Sequence, residues 1–556
     1  MPLRFPRASV NRPIHWLLEL EVGGTAYRFA DEELAVTQGS ISYRYLPGLG
    51  GLSVELGAPS LSVAIELDAG AGGVSWSELV TRGVDLESTR ATLRLWAEGL
   101  DRAEALVVVA GYLVAPEYGS IDEPFSFSIE GRRYESTATI PPIEAAIDDT
   151  TWPITTSPFP LQPDPQAIGA VYPWIYGRPG RDGISVWGRW SYAAPASPAY
   201  VAEYGDGAHT INDSKLIIAG HPVGAATVEV TDVSAGYSPG PRPSTPPAVS
   251  STLTVSEATD GRGRVVSVVE RSDGDRMRII AGNEYWVAWT TGGGRVEGGT
   301  GEEIRGAGAV IEDLLREAGI AFDRGRLAAA RGKLDAIRLD FALTDPVRPE
   351  DWIQSALGGL VPLLRQESAD GVWYELWRYD ATYRDVEAWL SADEDEGGIG
   401  VTRTSRVVWT DRDAVENDIT LQYRRCKQGF ARTRRLYATL DPSSADYEQA
   451  AQLAVISEER YGRRPVTIES AIIAEDAAAD TVLGWRILWR GIARRSFEVE
   501  GGPELLTLGT NSVVAYSEEA LGLDSALALV TSAVVDLTGV VLRLELLDEP
   551  AARGRA

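Results

Sequence analysis

The chain has 556 residues, 44% hydrophobic and 24% charged, which is globular composition and enough for about three or four domains of roughly 150 residues each. Its formal charge of −28 argues against nucleic-acid binding, because a phosphate-binding surface needs clustered cations; the plain reading of the acidity is solubility or adaptation to salt. A single cysteine, Cys426, rules out an intrachain disulfide and a cysteine zinc cage, and no resolving cysteine or histidine pattern accompanies it as a reactive thiol would need.

No run of about 20 apolar residues is present to span a bilayer, and MPLRFPRASVNRP lacks the apolar core of a signal peptide. Synthesis and folding in the cytoplasm are therefore expected. From Arg12 to about Thr139 the chain reads as short strands. Trp16, Leu18, Leu20 and Val22 alternate with charged or outward positions before a Gly23-Gly24 turn, a hairpin signal. LSVAIEL, ATLRLW, ALVVVAGYLV and PFSFSIEG continue the pattern, interrupted by the helical turn WSELVTRGV. Many short strands at regular spacing predict a sandwich or barrel.

Prolines at 141, 142, 153, 158, 160, 163 and 165 mark a connecting segment, since proline lacks a ladder amide and biases its predecessor towards extended backbone. AVYPWIYGRPG and SVWGRWSYAAP follow. Their aromatics Tyr172, Trp174, Tyr176, Trp187 and Trp190 are candidate contacts for a partner or receptor; the alternative is an ordinary aromatic core around a turn. Further strands run from Val201 to Trp289, divided by the proline-rich SPGPRPSTPPAV. TGGGRVEGGTG lacks the Gly-Lys-Ser/Thr of a phosphate loop and reads as a hairpin tip or linker.

Helix is expected where Val310, Ile311, Leu314, Leu315 and Ala318 share one face, ending at Gly319, and again after Pro349 with Trp352, Ile353, Ala356, Leu357 and Leu360. VPLLRQES and VWYELWR then read as a hairpin around Asp370-Gly371, completing a small α/β unit. SADEDEGG is an acidic loop without EF-hand spacing. In ENDITLQYRRC the residues Ile419, Leu421 and Tyr423 alternate with polar ones as a half-buried strand does. After a variable stretch come SEERYGRRPVTIES, a helix over AEDAAADTVLGWRILWRG, the strand SFEVE, the step LTLGTNSVVAYS and two closing strands.

Chemistry is sparse. The three histidines are His15, His209 and His221; His209, His221 and Asp213 follow no metal-binding spacing, and no G-x-S-x-G elbow occurs. Paired carboxylates leave no necessary sequence spacing, so a polysaccharide-degrading enzyme, or a carbohydrate-binding adhesin drawing on the sixteen tryptophans, stands as the alternative to a structural protein. No catalytic, metal or cofactor residue is assigned, and the chain is expected not to be an enzyme.

AVIEDLLREAGIAFD, PEDWIQSALGGLVPLLRQESADGVWYELWR, ENDITLQYRR, SEERYGRR, and WRILWRG before FEVEGGPELLTLGTNSVVAYS, taken in that order over about 307–547, resemble the baseplate or tail-tip hub proteins of tailed bacteriophages. The resemblance implies a mainly β fold with α+β parts: a tube-like barrel at 1–140, a strand-rich insertion with Pro-rich loops at 141–300, a small α/β domain at 301–390 and a second tube-like barrel at 391–550, with the helix at 475–490 across that barrel. It further implies a homotrimer in the virion that closes the tail tube and adapts sixfold to threefold symmetry. The partners it implies are a distal tail or tube protein, tip or fibre proteins, a tape-measure protein, DNA in transit and a host receptor. The chain departs from the simplest hub in its large insertion and in having no fibre or hydrolase domain after 547.

Overall fold

A computed structural model describes residues 12–36, 40–56, 62–68, 73, 76–84, 86, 89–117, 124–131, 137–143, 146–148, 169–179, 197–201, 215–223, 227–232, 253–260, 262–270, 285–291, 294–296, 301–368, 370–393, 398–426, 429–436 and 445–547. β1 (Ile14–Val22) and β2 (Thr25–Ala30) form the hairpin expected at Gly23-Gly24, with Val22 facing Thr25 and Leu17 facing Ala30. Both glycines have positive φ, 55° and 80°, the backbone of a two-residue hairpin turn that a side chain would strain. β3 (Leu34–Val36), β4 (Ile41–Tyr45), β5 (Val54–Glu55), β6 (Ser62–Leu67), the short α1 (Trp76–Thr81), β7 (Arg90–Ala97), β8 (Leu106–Glu117) and β9 (Phe125–Gly131) follow. All of these strands except β5 join one sheet in the order β3-β4-β2-β1-β7-β8-β9-β6. Leu18, Leu20, Leu93, Leu95, Phe125, Phe127 and Ile129 are buried, and Trp76 of α1 stacks on Phe125 with ring centres 6.0 Å apart.

β10 (Trp174–Tyr176) falls within the expected insertion at 141–300 but outside its barrel. Within that insertion β11 (Ser197–Val201), β12 (Lys215–Ala219), β13 (Thr227–Asp232), β14 (Leu253–Thr259), β15 (Val265–Glu270) and β16 (Tyr285–Thr291) close a six-stranded barrel, in the order β11-β12-β15-β14-β13-β16. Closure leaves no unpaired edge, which answers the liability of so many short strands. Beyond the barrel Val296 forms an antiparallel bridge with Glu303, and residues 297–300 of the glycine-rich segment lie outside the described residues.

α2 (Ala307–Glu317) buries Val310, Ile311, Leu314 and Leu315, the face its spacing predicts. α3 (Arg324–Leu334) follows, capped by the Asp323 side chain on the Arg326 amide. β17 (Phe341–Leu343) pairs with β10, placing Tyr176 opposite Phe341. The helix expected after Pro349 is a single turn, α4 (Pro349–Trp352), continued by a π-helical turn through Leu357; Ile353, Leu357 and Leu360 are buried as expected. β18 (Leu363–Ser368) and β19 (Gly371–Leu376) form the expected hairpin. Gly371 has φ 137°, and a Cβ there would lie 2.5 Å from the Ala321 and Phe322 backbone, so glycine permits both the turn and the approach.

The remaining elements are β20 (Ala388–Ser391), β21 (Ile399–Arg403), β22 (Val408–Trp409), β23 (Asp418–Cys426), β24 (Gly429–Leu436), α5 (Ala445–Tyr461), β25 (Pro465–Glu469), α6 (Asp476–Arg490), β26 (Arg495–Gly501), β27 (Val513–Glu518), β28 (Leu523–Val535) and β29 (Val540–Leu546). The run 391–550, expected as one barrel, divides between two cores. β20, β27, β28, β29, β26 and β21 are paired in succession, and β21 pairs back with β20, so these six strands close a ring. β24-β23-β25, α5 and α6 instead join the α/β unit: Ile419, Leu421, Tyr423, Ala454, Val482 and Ile487 share a core with Val310, Leu314, Ile353 and Trp373. The helix expected across the second barrel therefore packs within this other core. The reason is its buried face of Ala478, Ala479, Val482, Leu483 and Ile487, which meets the apolar side of β23.

The two β units are not separate bodies. Leu18, Leu93 and Phe127 of the N-terminal sheet belong to the same continuous core as Phe497, Val530, Leu542 and Leu544 of the ring. β5 physically links them, adding to β28 with Val54 opposite Val535 and Glu55 opposite Val534. The molecule is thus mainly β with α+β parts, and among the described residues no helix is long and apolar enough to cross a membrane.

Candidate functional site

Three joints hold the units together, and each is built from a sequence step noted above. The first is LTLGTNSVVAYS, whose residues 508–512 precede β27. Asn511 sits at φ 72°, a left-handed backbone that asparagine tolerates better than most residues. Its Oδ1 accepts the Arg378 amide at 2.9 Å and its Nδ2 donates to the Leu376 carbonyl at 3.1 Å. Next to it, Thr510 Oγ1 donates to the Leu56 carbonyl at 3.4 Å, and the Leu56 amide donates to Ala533 at 2.7 Å. Two adjacent residues therefore tie the ring to the hairpin β18–β19 and to the segment that follows β5 in the N-terminal region. Glu375 lies in this joint, accepts from Gln366 Nε2 at 2.9 Å, and has its carboxyl pushed up by burial.

The second joint is the strap at 171–177. Tyr172, Trp174 and Tyr176, candidate contact residues in the sequence, are 2%, 8% and 0% exposed, and their side chains fill the seam between the inserted barrel and the α/β unit. Tyr176 donates to Asp313 at 2.8 Å and stacks on Phe341, ring centres 5.0 Å apart; Tyr172 lies 3.3 Å from an Asp260 oxygen. Both phenols are pushed up, by burial first and then by the carboxylate. The Arg295 guanidinium lies 4.1 Å from the Trp174 ring centre and 2.6 Å from Asp313. His221 accepts the Ile175 amide on Nε2 at 3.0 Å while Nδ1 faces the Pro222 carbonyl at 2.9 Å. Burial, then the Arg295 charge, lower its pKa to about 3, so it is a neutral structural imidazole whose Nε2 lone pair is already used. Trp187, Trp190, His209 and Asp213 lie outside the described residues.

The third joint gathers the charges of the α/β unit. Asp340 accepts two hydrogen bonds from Arg305, at 2.8 and 2.7 Å, and Arg305 also reaches Glu475 at 2.6 Å. Asn417, which introduces β23, is fully buried: Nδ2 donates to Ser457 and Gly462, and Oδ1 accepts the Arg464 amide. That is why an asparagine and the SEERYGRR step occur together. Asp418 beside it takes Arg435 at 2.7 Å and Arg463 at 2.6 Å, which hold its carboxyl below the usual range. The buried carboxylates among the described residues, Asp260, Asp313, Asp340, Asp418 and Glu518, are each met by an arginine, whereas the partly buried Glu375 of the first joint is met by Gln366. Carboxylates paired in this way serve as structural anchors.

On the outside, Trp389 of β20 is 50% exposed, and Val408 and Trp409 of β22 are 56% and 49% exposed. Arg460 and Arg495 lie 5.8 and 5.6 Å from the Trp409 ring centre, and Ile456, one turn before Arg460 on α5, is also exposed. The helix and the ring thereby present one apolar patch flanked by cations. Sequence reasoning passed over Val408, Trp409 and Ile456, because two residues of strand carry no readable period and α5 has no clear apolar face.

No protein-family model and no curated protein matches the chain. Solved structures similar to it include the 43 kDa tail protein of prophage MuSo2 from Shewanella oneidensis, 11% identical at a TM-score of 0.35 over 95% of this chain and 97% of that one. The tail protein from Neisseria meningitidis MC58 is 10% identical at a TM-score of 0.33 over 96% of each chain. A chain of the virion of a native gene transfer agent particle is 12% identical at a TM-score of 0.37, over 70% of this chain and 87% of that one. The first two carry the name tail protein, and the third belongs to a virion.

Proposed function

We propose that the chain is the structural hub of a phage tail tip or baseplate, a homotrimer that closes the tail tube and adapts its sixfold symmetry to a threefold tip. The observation that carries this reading is the fusion of two β units, the N-terminal sheet and the ring of 388–546, over one apolar core and through β5. Two units fixed side by side let each chain supply two tube-like segments, within 1–140 and 391–550, so that three chains supply six. Asn511 locks the α/β unit to the ring, and Thr510 beside it ties the ring to Leu56 of the N-terminal unit. The six-stranded barrel of β11–β16 serves as an accessory domain.

The exposed patch of Val408, Trp409 and Ile456 suits the subunit contact, since tryptophan and arginine at a closing head-to-tail interface bury much area for little entropy. Distal tail or tube, tip or fibre and tape-measure proteins are its neighbours in this reading, in the virion. DNA passes without adhering to so acidic a protein, and a host receptor completes the set. With Tyr172, Trp174 and Tyr176 turned inward, a contact made by the aromatic stretch falls to Trp187 and Trp190. The role is non-enzymatic: arginine-neutralised carboxylates do not favour the glycosidase alternative.

The test is the mass of the purified chain by light scattering at micromolar concentration, with electron microscopy of tails carrying a label on it. A trimer and threefold label density at the tail tip are expected. A monomer that never enters tails overturns the proposal.

A further inference from the structure

We propose that His15, Glu32 and Glu98 bind a divalent transition-metal cation, zinc before others, at the end of the N-terminal sheet where β1, β2 and β7 meet. The three residues come from separate places in the chain. His15 is the second residue of β1, Glu32 follows β2, and Glu98 follows β7, where its amide bonds to the Pro13 carbonyl at 3.0 Å. One ligand atom from each lies within 4.8 Å of the others. The carboxylates are about half exposed, whereas the imidazole is 8% exposed, so the cluster opens to solvent on its acidic side alone.

The observation that points to a cation is the state of His15 Nε2. It is buried and has no hydrogen-bond partner, although it faces Glu32 at 3.5 Å and Glu98 at 3.7 Å. These gaps are too long for an N–H to bridge well. They match a metal: two bonds of about 2.1 Å opened to a tetrahedral or trigonal angle hold their ligand atoms roughly 3.4–3.6 Å apart. The other ring nitrogen is prepared for this. Nδ1 lies 3.1 Å from Asp31 Oδ2, and Asp31 is itself fixed by the Trp16 amide on Oδ1 at 2.7 Å. A carboxylate accepting the Nδ1 proton sets the tautomer that leaves Nε2 bare and raises its basicity, as in histidine ligands of metal sites. One nitrogen and two carboxylates suit zinc, with a remaining position for water, better than magnesium or calcium, which prefer oxygen alone. A bound ion would staple the ends of three adjacent strands.

Zinc chloride titrated into the full-length protein by calorimetry, at about pH 8 so that protons do not compete, tests this. The expected result is one tight site that magnesium does not displace, and a tetrahedral absorption spectrum when cobalt replaces zinc. His15→Ala should abolish the tight site, and Glu32→Gln and Glu98→Gln should each weaken it by about 10- to 100-fold. Glu98→Gln guards against misfolding of the histidine variant: at a half-exposed position it should melt like the wild type without metal and lose the rise in Tm that zinc gives. Absence of stoichiometric binding, binding that magnesium displaces, or equal affinity in wild type and Glu98→Gln overturns the proposal.

Discussion

The two large cores are held by different physics. The β core, shared by the N-terminal sheet and the ring, is one large apolar cluster that includes Leu542, Leu544, Val530 and Phe127, with few ion pairs beside it, Arg403 with Glu518 and Arg102 with Glu19 among them. The α/β core has buried ion pairs at its margin: Arg305 with Asp340, Arg486 with Glu416, and Asp418 with two arginines. Alternating strands can bury one face against another without polar partners, because their ladders satisfy the backbone. Helices, a hairpin and a small sheet drawn from 307–490 have many ends to tie, and the charges tie them at defined points. The β core thereby supplies area, and the α/β core fixes geometry.

The largest effect should come from removing one charge of a buried pair. Asp340→Ala leaves Arg305 buried with only the peripheral Glu475, and should lower stability by about 3–5 kcal/mol in denaturant unfolding. The double change Arg305→Met with Asp340→Leu should recover most of that, because no uncompensated charge remains. If the double variant is as unstable as the single one, the charges do more than fix geometry. In the β core, Leu544→Ala should cost about 3 kcal/mol through lost burial and a cavity, with no dependence on salt.

Asn511→Ala joins both regions and should cost about 2 kcal/mol, from two lost hydrogen bonds and a strained φ. Asn511→Gly should recover the strain but not the bonds. Asp418→Asn should cost about 1–2 kcal/mol near neutral pH, since Arg435 and Arg463 are partly exposed. Its pH dependence has a fixed sign. The folded-state pKa of Asp418 is depressed, so its contribution is present above the unfolded value of 3.8 and fades as pH falls through the folded one. Wild type and Asp418→Asn should therefore converge in stability in acid; a gap that stays constant would assign the loss to packing.

Much of the architecture is legible from local chemistry. The Gly23-Gly24 turn fixes the β1–β2 register, pairing Val22 with Thr25, and that register continued places His15 opposite Glu32. Glu98 joins them only through the long-range pairing of β1 with β7, which no local signal carries. α2 is readable because its apolar residues share a face, whereas α3 buries little beyond Leu327 and Leu334 and offers no such period. The division of 391–550 between two cores was not legible either, since β23 and β26 have the same alternation and differ only in which neighbour each meets. The aromatics at 172–176 announced a large buried area; that it lies inside the seam follows from the Asp313 and His221 partners, far away in sequence.

The smallest effect on the chain itself should come from Trp409→Ser. Trp409 is half exposed at the end of the ring, contacts the cations of Arg460 and Arg495, and supports no core residue, so the monomer should lose under about 1 kcal/mol. Its consequence should be for assembly. A tryptophan buried at a subunit contact typically contributes about 2 kcal/mol or more, so under the proposed trimeric assembly the variant should shift the subunit–oligomer equilibrium by at least about 30-fold in sedimentation velocity. Leu544→Ala provides the contrast: it should lower unfolding stability while leaving that equilibrium near the wild-type value. If Trp409→Ser leaves the oligomer intact, the cation-flanked patch faces something other than a second copy of the chain, and the contact that builds the ring must be sought on the exposed Trp389 side.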